Sequence, residues 1–136
     1  MSKVVVRVVA VAGAAGALIA ALGLPWAWYG DRAVHLTEFP GWVWYAGAAV
    51  LLNVVTAGAI VVPGRRGWLL LAAGGLGVVT IVAVVVMTRY ADVFLGPVVP
   101  AVRPSLGPGG PVAVLAALAS MTAVAGSRYL RFSRSR

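Results

Sequence analysis

The chain has 136 residues and a formal net charge of +8, and it contains 62% hydrophobic but only 10% charged residues. Soluble domains are roughly 45–50% apolar and about 25% charged, and one of this length cannot bury so much apolar surface. The composition therefore excludes a soluble globular protein, and the lack of cysteine excludes disulfides and thiolate metal sites.

Four apolar runs follow along the chain, each with the roughly 20 mainly apolar residues that a membrane-spanning helix needs. We predict helices at about 4–26, 42–62, 68–88 and 111–130, outer loops at about 27–41 and 89–110, and an inner turn at 63–67. None of the runs alternates polar and apolar residues as a membrane β-barrel does. The predicted fold is all-α: a single polytopic membrane domain, residues 1–136, built as a four-transmembrane-helix bundle.

The first run has a second interpretation as a secretory signal peptide, because Lys3 and Arg7 precede an alanine-rich apolar stretch. The run is longer than an ordinary signal core. An arginine near its start can also extend its side chain to the lipid headgroups. We therefore interpret it as a transmembrane helix.

Helix association in lipid depends on small residues that allow backbones to approach closely, because the hydrophobic force between helices is weak there. Such residues recur at helical spacing in the first, third and fourth runs. The predicted packing faces consist of Ala12, Gly16, Ala20 and Gly23, then Ala73 and Gly77, then Ala116 and Ser120.

The segment at residues 24–45 contains four of the five tryptophans, the only histidine and two of the three acidic residues. Tryptophan and tyrosine favour the headgroup zone, where their rings meet both lipid and water. We predict that the aromatic residues at both ends of the segment anchor the first hairpin, while the sequence GDRAVHLTEFPG between them stays in water. The predicted anchors are Trp26, Trp28, Tyr29, Trp42, Trp44 and Tyr45.

Asp31, His35 and Glu38 are the one group of residues whose types and spacing point to chemistry. Intervals of four and three residues bring them to one face if the segment forms a helical turn. A carboxylate beside an imidazole could serve acid–base catalysis, or the three side chains could bind a metal. The alternative is a solvated loop, since the spacing matches no established signature. Catalytic residues stay unassigned, and we predict no cofactor or metal.

Asn53 lies near the middle of the second run and is the polar side chain that costs most to leave unpaired in lipid. We expect it to hydrogen-bond to a neighbouring helix; the alternative is a contact with a pore or a ligand. A proton-coupled transporter normally places an ionisable residue well inside the bilayer. The four runs have none there, and small multidrug transporters depend on a glutamate in the first helix that this sequence lacks.

The basic residues predict the orientation of the chain. Eight of the 11 lie in the N-terminal segment, the inner turn and the C-terminal tail, whereas all three acidic residues lie in the outer loops. Cytoplasmic segments of membrane proteins carry the excess of lysine and arginine. Both termini are therefore expected in the cytoplasm, and the positive charge is explained without nucleic-acid binding, which we do not predict.

Short motifs give the chain a resemblance to a known family. LPW at residues 24–26 follows the first run, RGW at 66–68 opens the third, and GPGG at 107–110 precedes the fourth. In this order they resemble the small tryptophan-associated membrane proteins encoded beside tryptophan biosynthesis genes in high-GC bacteria. The resemblance implies four spans in a bacterial inner membrane but carries over no catalytic residue.

Three functions fit this sequence. The first is a non-catalytic accessory or structural subunit that binds another membrane protein, or associates with itself, through its small-residue faces and outer loops. The second is a membrane enzyme that acts on a lipophilic substrate with Asp31, His35 or Glu38. The third is an oligomeric pore or transporter built around Asn53 and the intramembrane threonines.

Overall fold

The computed structural model describes residues 2–61, 66–89 and 104–132. Four helices account for most of these residues: α1 (Lys3–Leu22), α2 (Trp42–Val61), α3 (Arg66–Arg89) and α4 (Gly109–Phe132). Each is long and apolar enough to cross a membrane, which confirms the predicted four helices. The predicted inner turn falls largely on residues outside the described ranges, as do residues 90–103 of the second predicted outer loop.

Three short strands at one end of the bundle depart from the all-α prediction. They are β1 (Pro25–Tyr29), β2 (Arg32–His35) and β3 (Ser105–Leu106), in the antiparallel order β2–β1–β3. A 3-10 turn, Leu36–Glu38, joins β2 to the approach to α2. The chain is therefore mostly helical, with a small sheet that brings residues from both predicted outer loops together. We call this end of the bundle the sheet end.

The first helix ends at Leu22 rather than at 26 because Pro25 opens a strand. A residue before proline is pushed out of the helical region, and the backbone N–H of Gly23 closes the helix by donating to Ile19 O at 2.9 Å. The hairpin that follows turns on two residues, Gly30 and Asp31. Gly30 has a φ of +60°, which suits the first central position of a tight hairpin turn.

Trp26 is the centre of the core at the sheet end rather than an anchor at a surface. Its indole is 1% exposed, and Nε1 donates to the carbonyl oxygen of Ala20 at 2.8 Å. Its ring centroid lies 5.0 Å from that of Tyr45 and 6.5 Å from that of Phe39. The prediction that Trp26 and Tyr45 act as interfacial anchors is therefore wrong. Trp44, 81% exposed, keeps the expected position at a surface.

Small residues form the contact between α1 and α4, which is the most extensive helix contact of α1. A Cβ built on Gly13 would lie 2.6 Å from Ser120 Oγ and 3.1 Å from the backbone of α4. A Cβ on Gly16 would lie 3.2 Å from Ala116 Cβ. Glycine is therefore required at position 13, because any side chain there would separate the helices.

Two residues of the predicted packing faces, Ala12 and Gly23, lie outside the helix contacts, and Gly13 joins the face of α1 that meets α4. Ala12 is exposed, since the face that meets α4 contains Gly13, Gly16 and Ala20 instead. Gly23 lies beyond the end of α1 and serves as its C-cap.

The remaining predicted small residues lie in the interior of the bundle. Ala73 belongs to a buried cluster with Leu52, Ala59, Ala117 and Val124. Gly77 gives room to the Met121 side chain on α4. The α3–α4 contact thus depends on a side chain packed against a glycine, whereas the α1–α4 contact depends on close approach of the backbones.

Candidate functional site

The structure does not bring Asp31, His35 and Glu38 to one helical face. Asp31 lies in the hairpin turn and His35 ends β2, so at about 3.3 Å per residue the strand holds them roughly 10 Å or more apart. Only His35 and Glu38 are close together, through the 3-10 turn. Within the described ranges no group of three His, Cys, Asp or Glu residues is placed to hold a metal ion.

Glu38 is the last residue of the 3-10 turn, and its side chain reaches back to the residue that precedes the turn, His35. Its Oε1 accepts from the backbone N–H of His35 at 3.1 Å, and its Oε2 accepts from the Arg32 guanidinium at 2.9 Å. The His35 N–H first, and Arg32 second, lower the pKa of the Glu38 carboxyl below its usual value. A carboxylate held in its charged form by two donors is a poor proton acceptor for catalysis. These two bonds hold the loop in its conformation and do not prepare the carboxylate for proton transfer.

An open groove lies between α1 and α2 on the surface of the bundle. The two helices touch far less than α1 and α4 do. The groove has two lobes of about 470 and 590 Å³ that share Ala14, Asn53 and Ala57. Seven alanines line its floor and walls: Ala10, Ala14, Ala17, Ala21, Ala46, Ala49 and Ala57. We call this feature the α1–α2 groove.

Aliphatic side chains border the α1–α2 groove, and a cation lines the end opposite the sheet. Leu18 and Leu22 of α1 and Val50 and Val54 of α2 border the lobe at the sheet end, each at least 60% exposed. Arg7 lines the other lobe. The groove therefore has the length of a helix and a mainly apolar wall, with Asn53 at its middle and with Thr56, Tyr45 and Arg7 as its other polar or charged lining residues.

Asn53 is the polar group at the middle of the groove, and it lines both lobes. Its Nδ2 donates to the carbonyl oxygen of Ala49, one turn earlier in α2, at 2.8 Å. The predicted bond to a neighbouring helix is therefore wrong for the described residues. One N–H and the Oδ1 of the amide have no partner within them. The amide thus presents a free donor and a free acceptor beside an apolar surface.

The space behind Asn53, between the four helices, is small. A void of about 10 Å³ is lined by Ala17, Asn53, Thr80 and Ser120 together with neighbouring alanines. That volume is at the lower limit for one water molecule. Thr56 and Thr80 satisfy their hydroxyls on the preceding turn of their own helices, at 2.8 and 2.7 Å. At this level the bundle has no room for a substrate or a line of ions.

Comparison with known proteins adds no relative to this picture. No family model matches the chain, and no curated protein and no solved structure matches it. The function is therefore argued from the α1–α2 groove and the distribution of charge.

Proposed function

We propose that the chain is a small integral membrane protein that acts as a non-catalytic accessory or structural subunit of a membrane complex. Four helices long and apolar enough to span a bilayer support insertion. In this proposal the bundle crosses a bacterial inner membrane with both termini in the cytoplasm. The resemblance to tryptophan-associated membrane proteins agrees with that location and stays a prediction.

The charge distribution supports this orientation. Asp31 and Glu38 lie at the sheet end, whereas Lys3 and Arg7 lie at the start of α1, at the opposite end. In the sequence, the α2–α3 connection and the C-terminal segment contain six further arginines: Arg65, Arg66, Arg128, Arg131, Arg134 and Arg136. Because cytoplasmic segments carry the excess of lysine and arginine, we propose that the sheet end lies on the outer side.

One observation supports the proposed role: the α1–α2 groove leaves alanines and the partly unsatisfied amide of Asn53 uncovered on the surface of the bundle. Unpaired polar groups are costly in hydrocarbon, and membrane helices pack where small residues let backbones approach. A transmembrane helix in the groove would cover the alanines and provide partners for Asn53. We therefore propose the α1–α2 groove as the docking site for a helix of the complex.

No observation favours the two other functions. The second would use Asp31, His35 or Glu38, but Asp31 lies apart from the other two, and Glu38 binds Arg32 and the His35 backbone. The third would need a polar passage at Asn53 and the threonines, but the void between the four helices behind Asn53 has the volume of about one water, and Thr56 and Thr80 bond to their own helices.

Two neighbouring alanines of α1 test the docking site. Ala14 lines both lobes of the groove, whereas Ala15 is exposed and lines neither. We expect Ala14→Leu to fill the groove and release the chain from its assembly, while Ala15→Leu leaves the assembly intact. The measurement is the mass of the particle purified in mild detergent, compared with the 13.9 kDa of one chain. A wild-type particle containing a single chain and no other protein would contradict the proposal.

A further inference from the structure

We infer that the helix docked in the α1–α2 groove belongs to a second copy of this chain, paired about a two-fold axis with the two Asn53 amides hydrogen-bonded to each other. The inference rests on the proposed function, because it names the occupant of that docking site. The chemistry of the amide, the shape of the surface and the depth of Asn53 support this pairing.

The amide of Asn53 is complementary to itself. Each copy has one free N–H on Nδ2 and a free Oδ1, because the other N–H donates to Ala49 O. Two such amides, facing each other, form two reciprocal N–H···O bonds and leave no unsatisfied group. A different helix would need to bring a donor and an acceptor to the same point. A second copy supplies both when the two-fold axis passes beside Asn53.

The surface around Asn53 is complementary to itself in shape as well. Val50 and Val54, each 62% exposed, form a ridge on α2. The ridge stands beside the alanine wall formed by Ala14 and Ala17 of α1. A two-fold interface uses the same patch on both subunits, so it needs a protrusion and a depression on one face. The α1–α2 groove and its valine ridge provide that pair.

A two-fold axis along the membrane normal keeps equivalent residues at equal depth. Asn53 of one copy therefore meets Asn53 of the other without any shift along the helices. The same axis leaves both copies in one orientation, with Arg7 of each at the same membrane surface. This arrangement satisfies the amides and preserves the charge distribution that the proposed orientation requires.

The strength of self-association measures the contribution of the amides. We expect sedimentation equilibrium in micelles to give twice the 13.9 kDa chain mass for the wild type. Asn53→Leu removes two interhelical bonds, each worth about 0.6 kcal/mol on average in membranes, so the dissociation constant should rise about tenfold. Thr122→Val is the matched control, because Thr122 is exposed on α4 and bonds to Leu118 O of its own helix. An equal dissociation constant for wild type and Asn53→Leu would overturn the inference.

Crosslinking in cells identifies the occupant independently of affinity. A photoactivatable residue at Val54 should give an adduct of two copies, whereas the same residue at Leu71, 79% exposed on α3, should not. An adduct at Val54 with a different protein would overturn the inference and leave the proposed function standing. Adducts with lipid alone would overturn both.

Discussion

The two sides of α1 contact their neighbours in different ways, although both are built from glycine and alanine. Towards α4, Gly13 and Gly16 let the helices meet so closely that a Cβ at position 13 would collide with Ser120. Towards α2, Ala14 and Ala17 line a groove that the chain leaves open. Small residues thus form a closed contact only where the facing helix also lies near, because α2 presents Ala46, Ala49 and Ala57 to α1 and the groove between them still stays open. The same residue types on the α2 side of α1 leave a surface open to another chain.

The largest effect that tests this difference is expected from Gly13→Leu. The new side chain would overlap Ser120 Oγ and the backbone of α4, so the variant should lose about 3 kcal/mol of stability through overpacking. Ala15→Leu, on the exposed side of α1, should change stability by less than about 0.5 kcal/mol. Unfolding in micelles followed by circular dichroism gives both values. Equal stability of the two variants would mean that α1 and α4 do not form the closed contact.

A smaller effect is expected where the sheet end meets the closed contact. Trp26→Phe keeps an aromatic ring near Tyr45 but removes the donor to Ala20 O, leaving a buried carbonyl unsatisfied at a loss of about 2 kcal/mol. Trp44→Phe is the control, because Trp44 is 81% exposed. The same unfolding measurement applies. If Trp26→Phe were as stable as Trp44→Phe, the hydrogen bond from Trp26 to Ala20 of α1 would add nothing to the stability of the bundle.

The smallest effect concerns Glu38, which touches neither side of α1. Its pKa is lower in the folded state, so its stabilising contribution is complete at neutral pH and is lost as the pH falls below about 4.5, through the folded-state pKa. Because its carboxylate and Arg32 are largely exposed, the change in melting temperature should be slight. Glu38→Gln should abolish that part of the pH dependence. Identical melting curves for the wild type and Glu38→Gln at both pH 7 and pH 3 would mean that the carboxylate does not stabilise the loop.

Hydropathy was enough to predict the helices, because a run such as α2 contains no charged residue and only isolated polar ones, Asn53 and Thr56; the predicted 42–62 and the observed Trp42–Val61 agree within one residue. The sequence does not predict the sheet, because Trp26 and Ala27 continue the apolar run of the first helix. In addition, β3 has only two residues, and they pair with β1 strand residues that lie far away in the sequence. Pro25 was the available signal that the first helix stops early.

The packing faces were predicted only in part, because spacing cannot choose between adjacent small residues. Ala12 and Gly13 are both small, and only the position of Ser120 on α4 decides that Gly13 faces inward. The α1–α2 groove depends in the same way on how far α2 stands from α1. Such distances follow from the packing of all four helices and have no local sequence signal.

The pairing of β1 with β3 constrains the order in which the molecule is completed during synthesis. The β1–β2 hairpin is contiguous and can form as soon as it leaves the ribosome, but Ser105 and Leu106 are translated only after α2 and α3. Gly109, which packs against the Trp26 indole, follows them. The nascent chain therefore carries an uncovered tryptophan until its last quarter emerges. Assembly of this end therefore waits for β3 and the start of α4, and ribosome-stalled chains that stop before Ser105 should retain Trp26 in a solvent- or lipid-accessible state.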